Sequence, residues 1–277
     1  MAAFSDRLAA AQRASGSALC VGLDPDVERL PRHLLESRTP VAAVEHFCRS
    51  VIEHTSDSAC AYKLNFAFFE RLGDSGLALL RRIRRAVPSE KMTVADAKRG
   101  DIGNSARFYA KSALEDLGFD SVTVSPYMGR DSVLPFIESD GHAAFVLAHT
   151  SNPGREDFQT ARVNNRPLYE VVVERCLQWG REAKGEIGFV VGASEPGIVA
   201  RLRELAPESP FLIPGVGAQG GSAEAVMEAS KSTPGITLVN SSRAIIYASA
   251  GTDYAEAAGQ AAREAAGLLG IAEGARV

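Results

Sequence analysis

Along this chain, short apolar runs alternate with segments whose apolar residues recur at helical spacing. The runs lie at 18–23, 60–64, 92–96, 120–124, 143–148, 187–191, 211–213 and 236–239. Most are continuous rather than alternating, which is how strands covered on both faces read. The helical segments fall after them, at 40–56, 75–87, 103–117, 130–139, 166–183, 196–206, 221–231 and 252–269. Ahead of the first run, Phe4, Leu8 and Ala11 predict a short amphipathic helix with Ser5 as its cap. Eight strand candidates, each followed by a helix candidate, predict an α/β protein and, at this length, a (β/α)8 TIM barrel. An open doubly wound sheet is the alternative, because periodicity does not reveal closure. No linker or low-complexity tract divides the chain, so 1–277 is expected to form a single domain. The least regular stretch, 150–165, is rich in Asn, Pro, Gly and Arg and reads as a long functional loop after the fifth strand.

Composition narrows the partners. The chain has 277 residues, 45% hydrophobic and 23% charged, enough for one large core. A net charge of −4 argues against nucleic acid polymers and anionic membranes as main partners. Cys20, Cys48, Cys60 and Cys176 form no C-x-x-C pair and read as reduced thiols rather than a disulfide framework or zinc site. No 18-residue apolar run occurs, and the first fifteen residues lack the apolar core of a signal peptide. The cytoplasm is therefore the expected compartment.

In a barrel the active site collects at the carboxyl ends of the strands. Strand one ends Gly-Leu-Asp-Pro, leaving Asp24 at the rim, where it is either a turn former or a ligand-binding carboxylate. Strand two reads Ala-Tyr-Lys-Leu-Asn-Phe-Ala-Phe-Phe-Glu, with Lys63 inside an apolar run. That lysine either snorkels outward or meets a carboxylate in the barrel mouth, and the mouth is favoured. Strand three carries Asp96 and Lys98, two apart and so on one face, and Asp101 follows a turn at Gly100. Two lysines and two aspartates gathered there would hold each other's charge. A solvated turn that happens to carry charges is the plainer account.

Strand five ends Leu-Ala-His-Thr-Ser-Asn-Pro-Gly. Ser151 could hydrogen-bond a ligand, although the segment is also ordinary turn chemistry. His149 reads as a hydrogen-bonded strand-end histidine in preference to a catalytic base. Strand seven runs into Ile-Pro-Gly-Val-Gly-Ala-Gln-Gly-Gly, whose glycines 215, 217, 220 and 221 leave backbone N–H groups free to meet an anion. Strand eight places Arg243 at the neighbouring loop, a natural fork for a phosphate. Barrels often bind phosphate between these two loops, so the pair predicts a phosphate site.

The segment Asp-Ala-Lys-Arg-Gly-Asp-Ile-Gly at 96–103 resembles the signature of the orotidine 5′-monophosphate decarboxylase family, in its longer bacterial group (type 2). Leu-Asp-Pro at 23–25, Tyr-Lys-Leu-Asn-Phe-Ala-Phe-Phe-Glu at 62–70, Ser-Asn-Pro-Gly at 151–154, Pro-Gly-Val-Gly-Ala-Gln-Gly at 214–220 and Ser-Arg-Ala-Ile at 242–245 resemble it in the same order. Together they span nearly the whole chain.

The resemblance implies a cofactor-free decarboxylation of orotidine 5′-monophosphate to uridine 5′-monophosphate. Lys98 would protonate C6 of the pyrimidine and Asp96 would sit against the departing carboxylate, with Lys63 and Asp101 completing the charge network. Asp24 and Lys63 would bind ribose hydroxyls, and Ser151 the pyrimidine. Gln219 and Arg243 would hold the phosphate, and Pro214, Gly217 and Ser242 would also bind the substrate. The family's sites lie at a homodimer interface, so Asp101, Ile102 and Ser105 would reach the partner subunit's site. Ser105 stands where the family more often has Thr, which keeps the hydroxyl. Three other readings stay open: a metal-dependent decarboxylase of a sugar-acid phosphate, an aldolase using Lys98 or Lys63 as a Schiff base, and a silent nucleotide-phosphate binding protein.

Overall fold

The computed structural model describes residues 2–215, 222–230 and 233–271. Eight parallel strands form a closed barrel. They are β1 (Leu19–Leu23), β2 (Ala61–Asn65), β3 (Met92–Arg99), β4 (Ser121–Val124), β5 (Ala143–His149), β6 (Glu186–Val191), β7 (Phe211–Pro214) and β8 (Thr237–Ser241). Each pairs with the next in sequence, and β8 closes on β1 with Leu19 opposite Val239. The open-sheet alternative is thereby removed.

Alternation along each strand sorts the core into two layers. Val21, Val122, Ile213 and Val239 point outward and pack beneath the helices. Cys20, Val94, Phe145, Leu212 and Leu238 point inward and fill the barrel. The first helix, Phe4–Ser15, plugs the amino-terminal end with Phe4 and Leu8, and Phe4 meets Phe145 edge-on at 5.8 Å. Burying such side chains stabilises the fold by about 1.5–3 kcal/mol each. Apolar packing thus fills the barrel interior at the lower end.

Several local expectations need correction. Ser5 does not cap the first helix. The cap position is Ala3, without a side-chain bond, and Ser5 instead bonds the Glu186 carboxylate at the foot of β6. Strand two stops at Asn65, whose side chain accepts the Ala67 N–H at 3.2 Å and starts a short helix, Phe66–Glu70. The segment 130–139 makes two short 3₁₀ turns, Arg130–Ser132 and Leu134–Ile137, because Pro135 interrupts the series of N–H donors. The 103–117 segment is an α-helix only over Gly103–Ala110, and widens to a π-turn over Lys111–Asp116. Among the described residues no helix is long and apolar enough to cross a membrane.

Candidate active site

A pocket of about 340 Å³ opens at the carboxyl ends of the strands. On one side stands a chain of charges. Lys63, from β2, is only 4% exposed and points inward. Its Nζ donates to Asp96 Oδ2 at 3.0 Å and lies 3.5 Å from Asp24 Oδ1. Lys98 Nζ donates to the other oxygen of Asp96 at 2.6 Å. Ser242, from the end of β8, donates to Asp24 Oδ2 at 2.7 Å, and Tyr247 OH donates to the Asp24 carbonyl at 3.1 Å. Each buried carboxylate therefore has cationic or hydroxyl partners, which is the condition for keeping such charges out of water.

Lys98 reaches Asp96 by a route that regular alternation does not give. Its φ is +44, in the left-handed region, and the pairing register of β3 with β4 shifts between Ala95 and Arg99. A non-glycine residue held there costs about 1–2 kcal/mol, and such strain concentrates at functional sites. Thr123 on β4 holds the distortion: its Oγ1 accepts the Lys98 N–H at 2.9 Å and donates to Asp96 Oδ1 at 3.0 Å. The side chain of Lys98 is 52% exposed toward the cavity, unlike that of Lys63.

The electrostatics follow from this packing. Burial opposes the charge on Lys63, but Asp24 and Asp96 outweigh it and hold the ammonium above the ordinary lysine value. Burial likewise opposes ionisation of Asp96, yet Lys63 and Lys98 together pull its carboxyl down to about 2. Lys63 and Asp96 are thus both held in their charged forms at neutral pH. Facing it are apolar side chains, Leu147, Val190 and Leu212, and at the rim Arg243, which makes no ion pair among the described residues. A fixed ammonium beside a carboxylate, in a half-dry pocket with a spare guanidinium at its rim, can stabilise negative charge developing on a bound anion.

The pocket brings together Asp24, Lys63, Asp96, Lys98, Ser151, Pro214, Ser242 and Arg243. Asp101 does not join it. Its carboxylate accepts the Ile102 N–H at 2.8 Å, and within one chain Lys63 pairs with Asp24 and Asp96. Ile102 and Ser105 are exposed on the outer side of the following turn and helix, away from the pocket of their own chain. Gly217 and Gln219 lie outside the described residues. His149 is buried with its ring edge-on to Tyr169 at 5.1 Å, and neither ring nitrogen is hydrogen-bonded among the described residues. The expected hydrogen-bonded histidine is not what forms. The loop 150–165 holds a 3₁₀ turn, Pro153–Asp157, and is tied back where Thr150 N–H donates to Gln159 Oε1 at 2.8 Å.

Fold and site define a (β/α)8 barrel with a lysine–carboxylate pocket at its catalytic end. A sequence profile of the "Orotidine 5'-phosphate decarboxylase / HUMPS family" matches residues 17–260. The orotidine 5'-phosphate decarboxylase of Herpetosiphon aurantiacus is 42% identical over 262 residues, covering 94% of this chain and 95% of that one. The protein of the same name from Ralstonia nicotianae is 44% identical over 259 residues, covering 92% and 93%. The solved structure of Leishmania donovani OMP decarboxylase superposes with a TM-score of 0.80 at 40% identity, covering 96% of this chain and 98% of that one. The chain belongs to the orotidine 5'-phosphate decarboxylase / HUMPS family.

Proposed function

We propose that the protein decarboxylates orotidine 5′-monophosphate to uridine 5′-monophosphate, the closing step of pyrimidine nucleotide synthesis. In a chain of this family, the observation that carries the reading is the unbroken series Asp24–Lys63–Asp96–Lys98 along one wall of the pocket. The bond between C6 and the carboxylate breaks, carbon dioxide leaves, and the electron pair stays at C6. Lys98 stands where an ammonium can stabilise that pair and then deliver its proton to C6. Its exposure lets it recover a proton from water between turnovers. Asp96, held ionised by two lysines, faces the substrate carboxylate, and Asp24 with Lys63 takes the ribose hydroxyls. Arg243 and Ser242, with Pro214, receive the phosphate, whose binding energy stabilises a closed site. Ser151 addresses the pyrimidine.

The site is completed by a second copy of the chain. Ile102 and Phe108 after β3, Tyr127 and Met128 after β4, and Phe158 after β5 are all exposed at the catalytic end, which supports burial against a partner. In that assembly Asp101, Ile102 and Ser105 enter the partner's pocket. Purified protein is incubated with orotidine 5′-monophosphate in excess EDTA while the orotate absorbance is followed. Rapid loss of that absorbance with formation of the uridine nucleotide is expected. Turnover seen only after Mg²⁺ is restored would instead support the metal-dependent relative. No turnover under either condition would sink the reading.

A further inference from the structure

Asn240 stands on the wall of this pocket, and nothing in the mechanism above uses it. On β8, Leu238 belongs to the barrel interior and Val239 to the layer beneath the helices, so Asn240 again points inward. An amide therefore tops an otherwise apolar column. The residue is 6% exposed, and its Oδ1 is buried without accepting a hydrogen bond among the described residues. Leaving a buried amide oxygen unpaired destabilises a fold, and a leucine would fill a similar volume without that penalty.

A glycine on the neighbouring strand lets the amide take this position. Gly22, on the adjacent β1, carries no side chain. A Cβ there would lie 3.1 Å from Asn240 Oδ1 and 2.7 Å from Ser242 Cβ. Gly22 is also the register partner of Lys63, so the amide packs closely over β1 beside the charge network. On the other side Asn240 pairs with Pro214 of β7, beyond which Leu212 and Val190 continue the apolar wall.

We propose that Asn240 is a substrate-binding, specificity-determining residue whose amide hydrogen-bonds the polar edge of the pyrimidine ring. This deepens the nucleotide reading above and rests on it. Ribose and phosphate already have Asp24, Lys63 and Arg243, and Ser151 serves one polar group of the pyrimidine. A pyrimidine lays its flat faces against leucine and valine, but its ring carbonyls and N–H need partners once they leave water. A primary amide offers a donor and an acceptor side by side, matching a neighbouring carbonyl and ring N–H.

The test is calorimetric binding of two probes, uridine 5′-monophosphate and ribose 5-phosphate, which lacks the base. Asn240→Leu should bind the nucleotide about tenfold more weakly and ribose 5-phosphate as the parent does. Its melting temperature without ligand should hold or rise, an outcome that a purely structural role for Asn240 would not give. Asn240→Ser, which keeps a small polar group, should show a smaller loss and serves if the leucine variant does not fold. Unchanged nucleotide affinity in a folded variant overturns the proposal, as does equal loss for both probes. If the parent protein itself binds neither probe, the nucleotide reading falls and takes this proposal with it.

Discussion

The barrel carries a buried charge cluster at each end, and β3 contributes to both, Thr93 below and Asp96 with Lys98 above. At the lower end Asp120 accepts the Thr93 N–H at 2.8 Å and the Thr93 hydroxyl at 2.6 Å, and pairs with Arg7 of the first helix, with Arg84 4.0 Å away. At the upper end Asp96 is held by Lys63, Lys98 and Thr123. The two carboxylates are almost equally buried, at 6% and 8% exposure. What separates them is where their partners face. Around Asp120 the partners tie a helix, a strand and a loop to one point, and Asp120 does not line the catalytic pocket. Around Asp96 one cation sits on strained backbone and stays half open to the cavity. Similar ingredients therefore act as a rivet below and as a reactive surface above.

Lys98→Ala should break this contrast most sharply. Turnover should fall at least a thousandfold, roughly the reach of a positioned proton donor with its charge, while uridine 5′-monophosphate still binds. Steady-state kinetics beside calorimetry would check it, and turnover within tenfold of the parent would remove Lys98 from the reaction. Asp120→Asn should do the opposite. Removing a buried partner from Arg7 and Arg84 should cost about 2–3 kcal/mol in urea unfolding with kcat intact. A fallen kcat in the fully folded variant would contradict the division of labour.

Acid should also probe the upper end. The carboxyl of Asp96 is pulled to about 2 from an ordinary 3.8, so its contribution is complete above pH 4 and is lost as pH falls toward 2. That contribution is about 2 kcal/mol. Lys63 has the opposite sign: raised above its ordinary value, it contributes fully below that value and loses its effect only in strong alkali. Unfolding of Asp96→Asn should show a shallower acid limb, and an unchanged limb would refute the assignment.

Thr123→Val removes the hydroxyl joining the Lys98 N–H to Asp96, and should lower kcat about tenfold, or about 1.4 kcal/mol, with KM nearly unchanged. Equal kcat would show that the strained turn holds without it. Smallest is a comparison of two inactive variants. Lys98→Gly should be about 1 kcal/mol more stable than Lys98→Ala, because φ of +44 suits glycine. Coincident unfolding curves would show that no strain resides there.

Much of this was legible in the residues. Eight apolar runs marked all eight barrel strands to within a few residues, because strands buried on both faces leave few polar interruptions. Lys63 stood out for the converse reason, as a cation where a strand allows almost none. Thr123 and Asn240 gave no such signal. Threonine is an ordinary strand residue, and an asparagine near a strand end reads as the start of a turn. Their meaning arises only from what closure sets beside them: Asp96 and Lys98 for one, Gly22 and the apolar wall for the other. For Asp101 the residues show only a strictly local option within its own chain, its neighbour's N–H. Ser5 met the reverse fate, its local capping role displaced by Glu186, 181 residues away.

The plug at the base of the barrel has a consequence for biosynthesis. Gln12 donates to the carbonyl of Thr237, 225 residues later, and β1 has β8 as one of its neighbours. At a translation rate of roughly 5–20 residues per second, the first helix leaves the ribosome roughly 10–45 s before that partner exists. Throughout that interval Phe4 and Leu8 have no finished interior to enter. The nascent chain must carry its stopper exposed or shielded until the last strand arrives, so chaperone dependence should centre on the segment made first.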